Sequence, residues 1–507
     1  MKKTVPVVLG IAASLFLLIG QIRAADQPKY GGKLVVGQDI DAVGLDPYKT
    51  TALASLNYFE QIYNSLLQFD AKGALQPELA ASWENPNPTT YIFRLRKDVK
   101  FQDGKEFTAE DVKATFNRAL DPKTGSARAL TFKPVDRVEV VDKHTVRFIL
   151  KEPFAPFLNY LASPAHSSIL SKSVIEKSDP NQVVIGTGAF QMVEFRPNDR
   201  MLLKKNPQYW EKGLPYLDEL EIRLIKDPSS RVAALRAKSV DHIWIMEPQL
   251  VQILMKEKGI NSAIAASTAR KRVFINCTKP PFNNVKVRQA LSSATDRKEL
   301  IRVTVMGKGE LCGALPAAVG DYAFPAEKLP FYDYNPERAK KLLAEAGYPN
   351  GFKAQFKVSA AHITDQYAAQ MLQRQWKKIG VEIDIVQVEW GTIIRNINEK
   401  NYEIGSMTDF WRPDPNEYIV YNWDIQARTG FNSPDLDKMT VEGLTTVDHK
   451  KRVALYHEIE KKIAEYSPIL YIYAHPQRFE FWSDYVKGYV PLPQCSRVNL
   501  KEAWLDK

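Results

Sequence analysis

The sequence predicts an α/β fold built from more than one compact unit, and three observations support this prediction. Helical and strand patterns alternate along the C-terminal half, which is typical of α/β layers. The chain has 507 residues, well beyond the roughly 150 residues of an ordinary domain. Hydrophobic residues make up 45% of the chain and charged residues 25%, as in globular proteins with a large buried core.

The first residues have the layout of a secretory signal peptide. Lys2 and Lys3 precede an apolar run over 5–20, and small residues follow where a peptidase would cut. A membrane anchor is the alternative, but this run is shorter than the roughly 20 residues that a spanning helix needs. We therefore expect residues 1–24 to be removed. No cysteine lies near the cleavage site to carry a lipid, so we expect a mature chain that is free in solution and is not a lipoprotein.

The N-terminal half predicts a strand, a helix and then a mainly β region. Residues 33–37 have the composition of a first strand, and 56–67 carry apolar residues near helical spacing. Apolar residues alternate with others in 91–95, which predicts a half-buried strand, and Asp103-Gly104 supplies a tight turn.

The next pattern predicts a helix followed by a hairpin. Thr108 is a natural N-cap for a helix that runs to Leu120 with one apolar face. Valines at 138 and 140 then face the apolar residues of 146–150 across a turn at 142–143.

Three helices, each with clear signals, organise the C-terminal half. Asn335 and Pro336 begin the first, and Gly347 ends it. The second has its apolar face in 371–379, stops at Gly380 and leads into a strand at 381–385. The third has its apolar face in 453–463 and leads into a strand at 469–473. This alternation predicts an α/β unit.

The charge distribution indicates an ordinary solvated surface. The formal net charge of +10 falls to +7 once Lys2, Lys3 and Arg23 leave with the signal peptide. The remaining basic residues are spread along the chain among acids, as in 337–341, so we expect neither a nucleic-acid partner nor an anionic membrane.

The cysteines and histidines give no sign of a metal site. Cys277, Cys312 and Cys495 stand far apart, and in an exported protein they suggest one disulfide and one free thiol without showing which two pair. No two of the seven histidines lie one, three or four residues apart, the spacings that favour local chelation. We expect no metal and no cofactor.

Catalytic motifs are absent from the sequence. It contains no Gly-x-Ser-x-Gly, His-Glu-x-x-His, Cys-x-x-Cys or glycine-lysine phosphate loop. A carboxylate pair for glycoside hydrolysis can assemble from distant positions, so a hydrolase stays as the alternative. The run Gly186-Thr187-Gly188 lacks a following basic residue and a helix signal, which favours a turn or an interdomain crossover over a phosphate site.

Many segments, taken in order, resemble the solute-binding proteins of the peptide, nickel and opine class of ABC importers, solute-binding family five. Each segment is weak alone, but together they span nearly the whole mature chain. The segments are LAASWE at 79–84, FRLR at 93–96, VKF at 99–101, DG at 103–104, FTAEDV at 107–112, GTGAF at 186–190, NPQYW at 206–210, KPPF at 279–282, VRQAL at 287–291, DR at 296–297, AKKLL at 339–343 and AGYPNGF at 346–352.

The resemblance implies a two-lobed periplasmic-binding-protein fold, with crossover strands and an extra subdomain in the first lobe. On this basis we expect 25–268 with 480–507 to form lobe I, with the subdomain at about 60–180, and 269–479 to form lobe II. It also implies a monomeric periplasmic protein, not an enzyme, that captures a small solute and delivers it to ABC permease subunits. The implied solutes are, in order, a short peptide or amino-acid conjugate, an opine-like or sugar-derived acid, and a chelated metal; the alternative is a periplasmic hydrolase acting on a small solute.

One departure from the family pattern bears on the solute. Peptide-binding members are expected to pair the ligand's amino group with an aspartate shortly before an acidic-Pro pair, here Asp414-Pro415, and this place falls on Trp411. Asp409 is two residues away and offers a substitute. Alternatively, Arg412 holds a carboxylate or phosphate while Trp411 stacks on a ring. Core packing for Trp411 and a surface ion pair for Arg412 are equally good interpretations.

Three further residues complete the predicted ligand site. Trp390 and His362 are candidates for the wall of the cleft, with an exposed loop position as the alternative for His362. Tyr48 would face the cleft from the first lobe if the resemblance holds residue by residue. With Asp409, Trp411, Arg412 and Asp414 they form the candidate site.

Overall fold

The computed structural model describes most of the chain. The described residues are 27–50, 52–71, 73–264, 267–360, 362–409, 412, 414–420, 425–476, 479–492 and 498–507. The predicted signal peptide, Trp411 and Cys495 lie outside these ranges.

The described strands alternate with helices along much of the chain. In chain order they are β1 (Lys33–Gln38), β2 (Leu67–Phe69), β3 (Leu75–Pro77), β4 (Ala80–Asn87), β5 (Thr90–Leu95), β6 (Val135–Asp142), β7 (Thr145–Leu150), β8 (Phe190–Arg196), β9 (Arg200–Lys205), β10 (Glu219–Leu224), β11 (His242–Ile245), β12 (Ile260–Ile264), β13 (Ser267–Ile275), β14 (Phe352–Ser359), β15 (Val381–Val388), β16 (Ile404–Thr408), β17 (Ile469–Pro476), β18 (Phe479–Ser483), β19 (Val486–Lys487) and β20 (Trp504–Leu505).

The described α-helices range from one turn to five turns. They are α1 (Leu53–Ile62), α2 (Ala109–Leu120), α3 (Phe157–Leu161), α4 (Pro164–Ser167), α5 (Lys172–Lys177), α6 (Pro228–Arg236), α7 (Pro248–Leu254), α8 (Val285–Ser293), α9 (Arg297–Thr304), α10 (Pro336–Glu345), α11 (Ile363–Lys377), α12 (Trp390–Asn398), α13 (Pro415–Tyr418), α14 (Pro434–Thr445) and α15 (His449–Tyr466). Among the described residues, no helix combines the length and the apolar character needed to cross a membrane.

Lobe I is organised by a mixed sheet with the strand order β12-β18-β11-β1-β10-β9-β8. The central strand β1 runs parallel to β10 and β11, while β8, β9 and β10 pair antiparallel. Leu34, Val36 and Leu220 of this sheet are fully buried, and they share a core with Phe59 and Ile62 of α1. Burial of this apolar layer fixes the helix against the sheet.

A separate antiparallel sheet, β4-β5-β7-β6, forms the subdomain of lobe I. The predicted hairpin pairs Val138 with Phe148 and Val140 with Val146. Phe116 of α2 packs edge-to-face on Phe148, with ring centroids 4.9 Å apart. Thr108 and Asp111 form a capping box at the start of α2, so the predicted N-cap is confirmed.

Lobe II is organised by a sheet with the order β15-β14-β16-β13-β17. β14 runs parallel to β15 and β16, whereas β13 pairs antiparallel with β16 and β17. Trp376 of α11 is fully buried and stacks on Phe356 of β14 at a centroid distance of 6.3 Å. The predicted caps of α10 are also confirmed, because the Asn335 side chain accepts the amide hydrogen of Arg338 and Gly347 has φ of 89°.

Successive described strands lie in different large sheets at two places, between β12 and β13 and between β17 and β18. Gly186-Thr187-Gly188 is at neither crossing, so the crossover alternative for this run is wrong and the turn is correct. The turn packs on the end of α1, where the Gly188 amide donates to the Ile62 carbonyl at 2.8 Å. A Cβ on Gly186 would lie 2.1 Å from the same oxygen.

Two other local predictions need correction. The helix expected over 56–67 ends at Ile62, because Tyr63 is extended and Leu67 already begins β2. The expected disulfide does not form between the two described cysteines, since Cys277 and Cys312 both carry free thiols.

Candidate ligand-binding site

The subdomain of lobe I contacts lobe II through the segment that contains α3 and α4. The Ala155 amide donates to the Leu444 carbonyl of α14 at 2.7 Å. Nearby, Asn159 Nδ2 donates to Asp414 Oδ2 at 3.0 Å. These contacts join the two lobes directly.

Asp414 is fully buried between these lobes. It caps α13 by accepting the Asn416 amide hydrogen at 2.8 Å. Arg452 of α15 donates to both of its oxygens, at 2.6 and 3.0 Å. The carboxylate therefore already has four hydrogen bonds when the Asn159 contact is included.

Asp409 is paired within lobe II in the same way. Its carboxylate accepts the backbone amide hydrogen of Arg270 at 3.0 Å and also binds the Arg270 guanidinium, which is fully buried. Arg272 Nε lies 3.7 Å away. Burial alone would raise the pKa of Asp409, but the charges of Arg270 and Arg272 hold it below its ordinary value.

Arg412 differs from its acidic neighbours because it is exposed. Its backbone amide donates to the Tyr418 hydroxyl at 3.1 Å. Its positive charge acts on Asp409 and Glu417 in lobe II and on His166 and Arg128 in lobe I. Arg412 therefore stands at the boundary between the lobes.

Four side chains from both lobes form what we call the interlobe cluster: Arg128, Tyr160, His166 and Glu417. His166 Nε2 lies 3.4 Å from Glu417 Oε1, and the His166 ring stacks on Tyr160 at a centroid distance of 5.2 Å. The Glu417 charge also acts on the Tyr160 hydroxyl. Arg128 lies in the loop between α2 and β6, close enough for the Glu417 charge to affect its pKa.

Three polar atoms of the interlobe cluster are buried and have no hydrogen-bond partner among the described residues. They are Arg128 Nε, His166 Nδ1 and Glu417 Oε2. Arg128 is only 9% exposed and His166 only 8%. Buried polar groups in proteins nearly always have partners, and leaving one unsatisfied costs roughly 1–3 kcal/mol. Three such atoms in one cluster make it a candidate site for a polar solute.

The cluster is also electrostatically perturbed. Burial lowers the pKa of Arg128 to about 10, against the opposing charge of Glu417. Burial also lowers the pKa of His166, and Arg128 adds to this effect while Glu417 opposes it. Burial alone would raise the pKa of Glu417, but His166 and Arg412 bring it below its ordinary value. At neutral pH, Arg128 and Glu417 are therefore charged and His166 is neutral.

Tyr48, which we expected to face the cleft, lies in the lobe I core. Its side chain has no exposed area, and its hydroxyl donates to the Ser168 carbonyl at 3.1 Å. Its own carbonyl accepts the Ala127 amide hydrogen at 2.8 Å. Tyr48 thus supports the loop that carries Arg128.

His362 and Trp390 come together in a second group at the ends of β14 and β15. Their rings meet edge-to-face with centroids 4.5 Å apart. His362 is the N-cap residue of α11 and its Nδ1 lies 3.7 Å from Asp365 Oδ2, while the other oxygen of Asp365 pairs with the buried Lys271. His362 is exposed and lies in the loop just before α11, which agrees with the exposed loop position given as its alternative.

The predicted site residues therefore fall into three places. Asp409, Arg412 and Asp414 share one segment, His362 and Trp390 form a second group, and Tyr48 lies behind the first. A direct solute contact by any of them, and by Trp411 outside the described residues, stays a prediction. No group of three or more potential metal ligands occurs in the described part of the chain.

Comparison with known proteins decides the family. The profile of bacterial extracellular solute-binding proteins, family 5 (middle region), matches residues 74–431. The chain belongs to this family. The glutathione-binding protein GsiB of Salmonella typhimurium is 31% identical over 452 residues, which cover 86% of this chain and 87% of GsiB.

Solved structures of other solute-binding proteins match the whole two-lobed fold. The ABC transporter substrate-binding protein CtaP of Listeria monocytogenes superimposes with a TM-score of 0.85 at 26% identity, covering 94% of this chain and all of CtaP. The periplasmic binding protein DppA of Helicobacter pylori, in complex with the peptide STSA, has a TM-score of 0.79 at 26% identity, covering 94% of this chain and 99% of DppA.

This solute-binding protein is the substrate-binding component of an ABC importer. The family consists of binding proteins, a class that implies no catalysis, and the comparisons give no support to the hydrolase alternative. Sequence reasoning missed Arg128, His166 and Glu417 because they lie on three separate elements. The sequence signal that could have pointed to Glu417 is its position three residues after Asp414, in the segment already singled out as a candidate site.

Proposed function

We propose that this protein captures a peptide-like solute between its two lobes, in the periplasm, and delivers it to the permease of its importer. The observation that carries the proposal is the interlobe cluster, in which Arg128 and His166 of one lobe and Glu417 of the other bury unsatisfied polar atoms. A solute that satisfies them would favour the closed arrangement.

Closure is the step that matters for transport. A solute that contacts both lobes binds the closed form better than the open form, so it shifts the population towards closure. The closed shape then distinguishes a loaded protein from an empty one at the permease. The Asn159–Asp414 contact supports this role, because it is a hydrogen bond between the lobes that separation of the lobes would break.

The relatives support a peptide-like solute. GsiB is named as a glutathione-binding protein, and the DppA structure contains the peptide STSA. Glutathione and short peptides share amide bonds, a free ammonium and free carboxylates. An opine-like acid shares the carboxylates and an amine with them but lacks the peptide backbone, and a sugar-derived acid shares the carboxylate alone.

The proposal includes the organisation of the mature chain. Residues 1–24 are a cleaved signal peptide, and the mature protein is a monomer without a lipid anchor. Lobe I is 25–268 with 480–507 and lobe II is 269–479. The chain changes from one large sheet to the other within three residues of each of these boundaries, which supports the division into two lobes.

Native mass spectrometry of mature protein, purified gently from periplasm, tests the proposal. We expect one small peptide or amino-acid conjugate per chain, and we expect the solute to be retained without conversion. The protein mass should correspond to a chain that starts near residue 25. A solute that is consumed during incubation, or a protein that retains and binds no small molecule, would contradict the proposal.

A further inference from the structure

Beyond capture itself, the charges left over at the boundary of the lobes define a class of solute. We propose that the interlobe cluster, together with Arg412, selects a peptide-like solute with one ammonium group and two carboxylates. This inference rests on the proposed function, because it concerns the same cleft.

The first step is to remove the charges that already have partners. Asp409 is neutralised by Arg270, and Asp414 by Arg452, each through a bidentate, buried pair. Such pairs satisfy both partners and leave little capacity for a solute. The acidic residues that sequence reasoning placed first are therefore structural partners in this arrangement.

Besides these pairs and Arg272, which lies 3.7 Å from Asp409, three charges of described residues stand at the boundary. Arg128 and Arg412 are positive, and Glu417 is negative. His166 is neutral at pH 7, since its pKa lies below 6.5. The described charges at the boundary are therefore positive in excess, which a solute with more carboxylates than ammonium groups would balance.

The unsatisfied atoms show which solute group goes where. His166 Nε2 lies 3.4 Å from Glu417 Oε1, so neutral His166 is assigned the tautomer with hydrogen on Nε2, which leaves Nδ1 as an acceptor. Glu417 Oε2 is a second acceptor. Together these two atoms suit an ammonium group.

The donors suit carboxylates. Arg128 presents a buried Nε without a partner among the described residues, and Arg412 presents an exposed guanidinium. A guanidinium binds a carboxylate in a planar fork, and two of them accommodate two carboxylates. Glutathione and a tripeptide with a central glutamate both have one ammonium and two carboxylates.

Isothermal titration calorimetry with matched tripeptides tests the charge rule. The probes are Ala-Glu-Ala, Ala-Gln-Ala and Ala-Lys-Ala, with glutathione as a fourth. We expect Ala-Glu-Ala and glutathione to bind at least about tenfold more tightly than Ala-Lys-Ala, with Ala-Gln-Ala between them. Equal affinity for the three tripeptides, or a preference for Ala-Lys-Ala, would overturn the inference.

Substitutions separate the two halves of the site. Arg128→Gln and Arg412→Gln should each weaken Ala-Glu-Ala about tenfold or more, and Glu417→Gln should do the same. Acetylation of the peptide's amino group should remove the effect of Glu417→Gln and leave that of Arg412→Gln. Arg137→Gln, an exposed arginine on β6, is the matched control and should change nothing.

Folding of each variant is checked by its melting temperature, and Arg412→Gln keeps the test open if the buried variants fail to fold. A wild-type protein that binds no tripeptide or glutathione, but carries another solute from periplasm, would overturn the acidic-peptide class and leave the proposed function standing. A protein that binds neither would overturn both.

Discussion

Asn159 of lobe I donates a hydrogen bond to Asp414 of lobe II at 3.0 Å, and Arg452 holds the same carboxylate from the other side. The lobes therefore meet on a group whose position is already fixed by an ion pair. A rigid acceptor costs little conformational entropy when the lobes close. The Asn159–Asp414 hydrogen bond is therefore suited to a closure that is reversible and that brings the lobes together in one geometry.

Replacing Asn159 by aspartate tests this contact. Asn159→Asp would bring a second carboxylate to the Asp414 carboxylate, and we expect solute affinity to fall by about 1–3 kcal/mol because the closed form loses a partner. Small-angle scattering should show a larger radius of gyration at a given solute concentration. The control is Asn117→Asp on the exposed side of α2, which should leave both quantities unchanged.

Asp409 distinguishes a structural ion pair from a ligand contact. Asp409→Asn would leave the fully buried Arg270 without its counter-charge, and we expect the free energy of unfolding to fall by about 3–5 kcal/mol. Urea unfolding without solute measures this. Asp136→Asn, at an exposed pair with Arg137, should change it by less than about 0.5 kcal/mol. Unchanged stability with weakened binding of amines would instead make Asp409 a ligand residue.

Arg412 gives the complementary result. Because its side chain is exposed, Arg412→Ala should leave the melting temperature unchanged. It should weaken binding of an anionic solute by about 1.5–3 kcal/mol, the usual contribution of a charge-assisted hydrogen bond. Calorimetry measures the loss, with Arg137→Ala as control. Unaltered affinity would remove Arg412 from the site.

Sequence predicted the elements that depend on neighbouring residues. The caps of α10 are an example, because Asn335 and Gly347 act within one turn of their own positions. The strand at 381–385 follows equally from its alternation of apolar and charged residues. The end of α1 was misplaced, since it depends on the turn at 186–188, more than a hundred residues away.

The site was harder to predict because its geometry is non-local. The segment around Asp409 was found from its motif, but its partner Arg270 lies 139 residues earlier on β13. Nothing in a single sequence shows that this pairing occupies the carboxylate. Arg128 and His166 meet Glu417 across the boundary between the lobes, so no spacing along the chain marks them.

The last prediction concerns acid. The folded-state pKa of His166 lies below 6.5, so the unfolded chain binds more protons as the pH falls through 6.5 and stability declines. Glu417 acts in the same direction at lower pH, since its lowered pKa stabilises the fold above about 4.5 and this contribution is lost below it. The groups facing His166 are Glu417, Tyr160, Arg128 and Arg412.

Replacing the histidine separates these two contributions. His166→Gln keeps a polar side chain beside Glu417 but does not titrate, so the fall in melting temperature between pH 7 and about pH 5 should be shallower than in the wild type. Asn117→Gln, a non-titrating change on the exposed side of α2, is the control and should keep the wild-type slope. Thermal unfolding across this range measures both. An unchanged slope in His166→Gln would mean that His166 does not lose its proton on folding, and that the charges around it outweigh its burial.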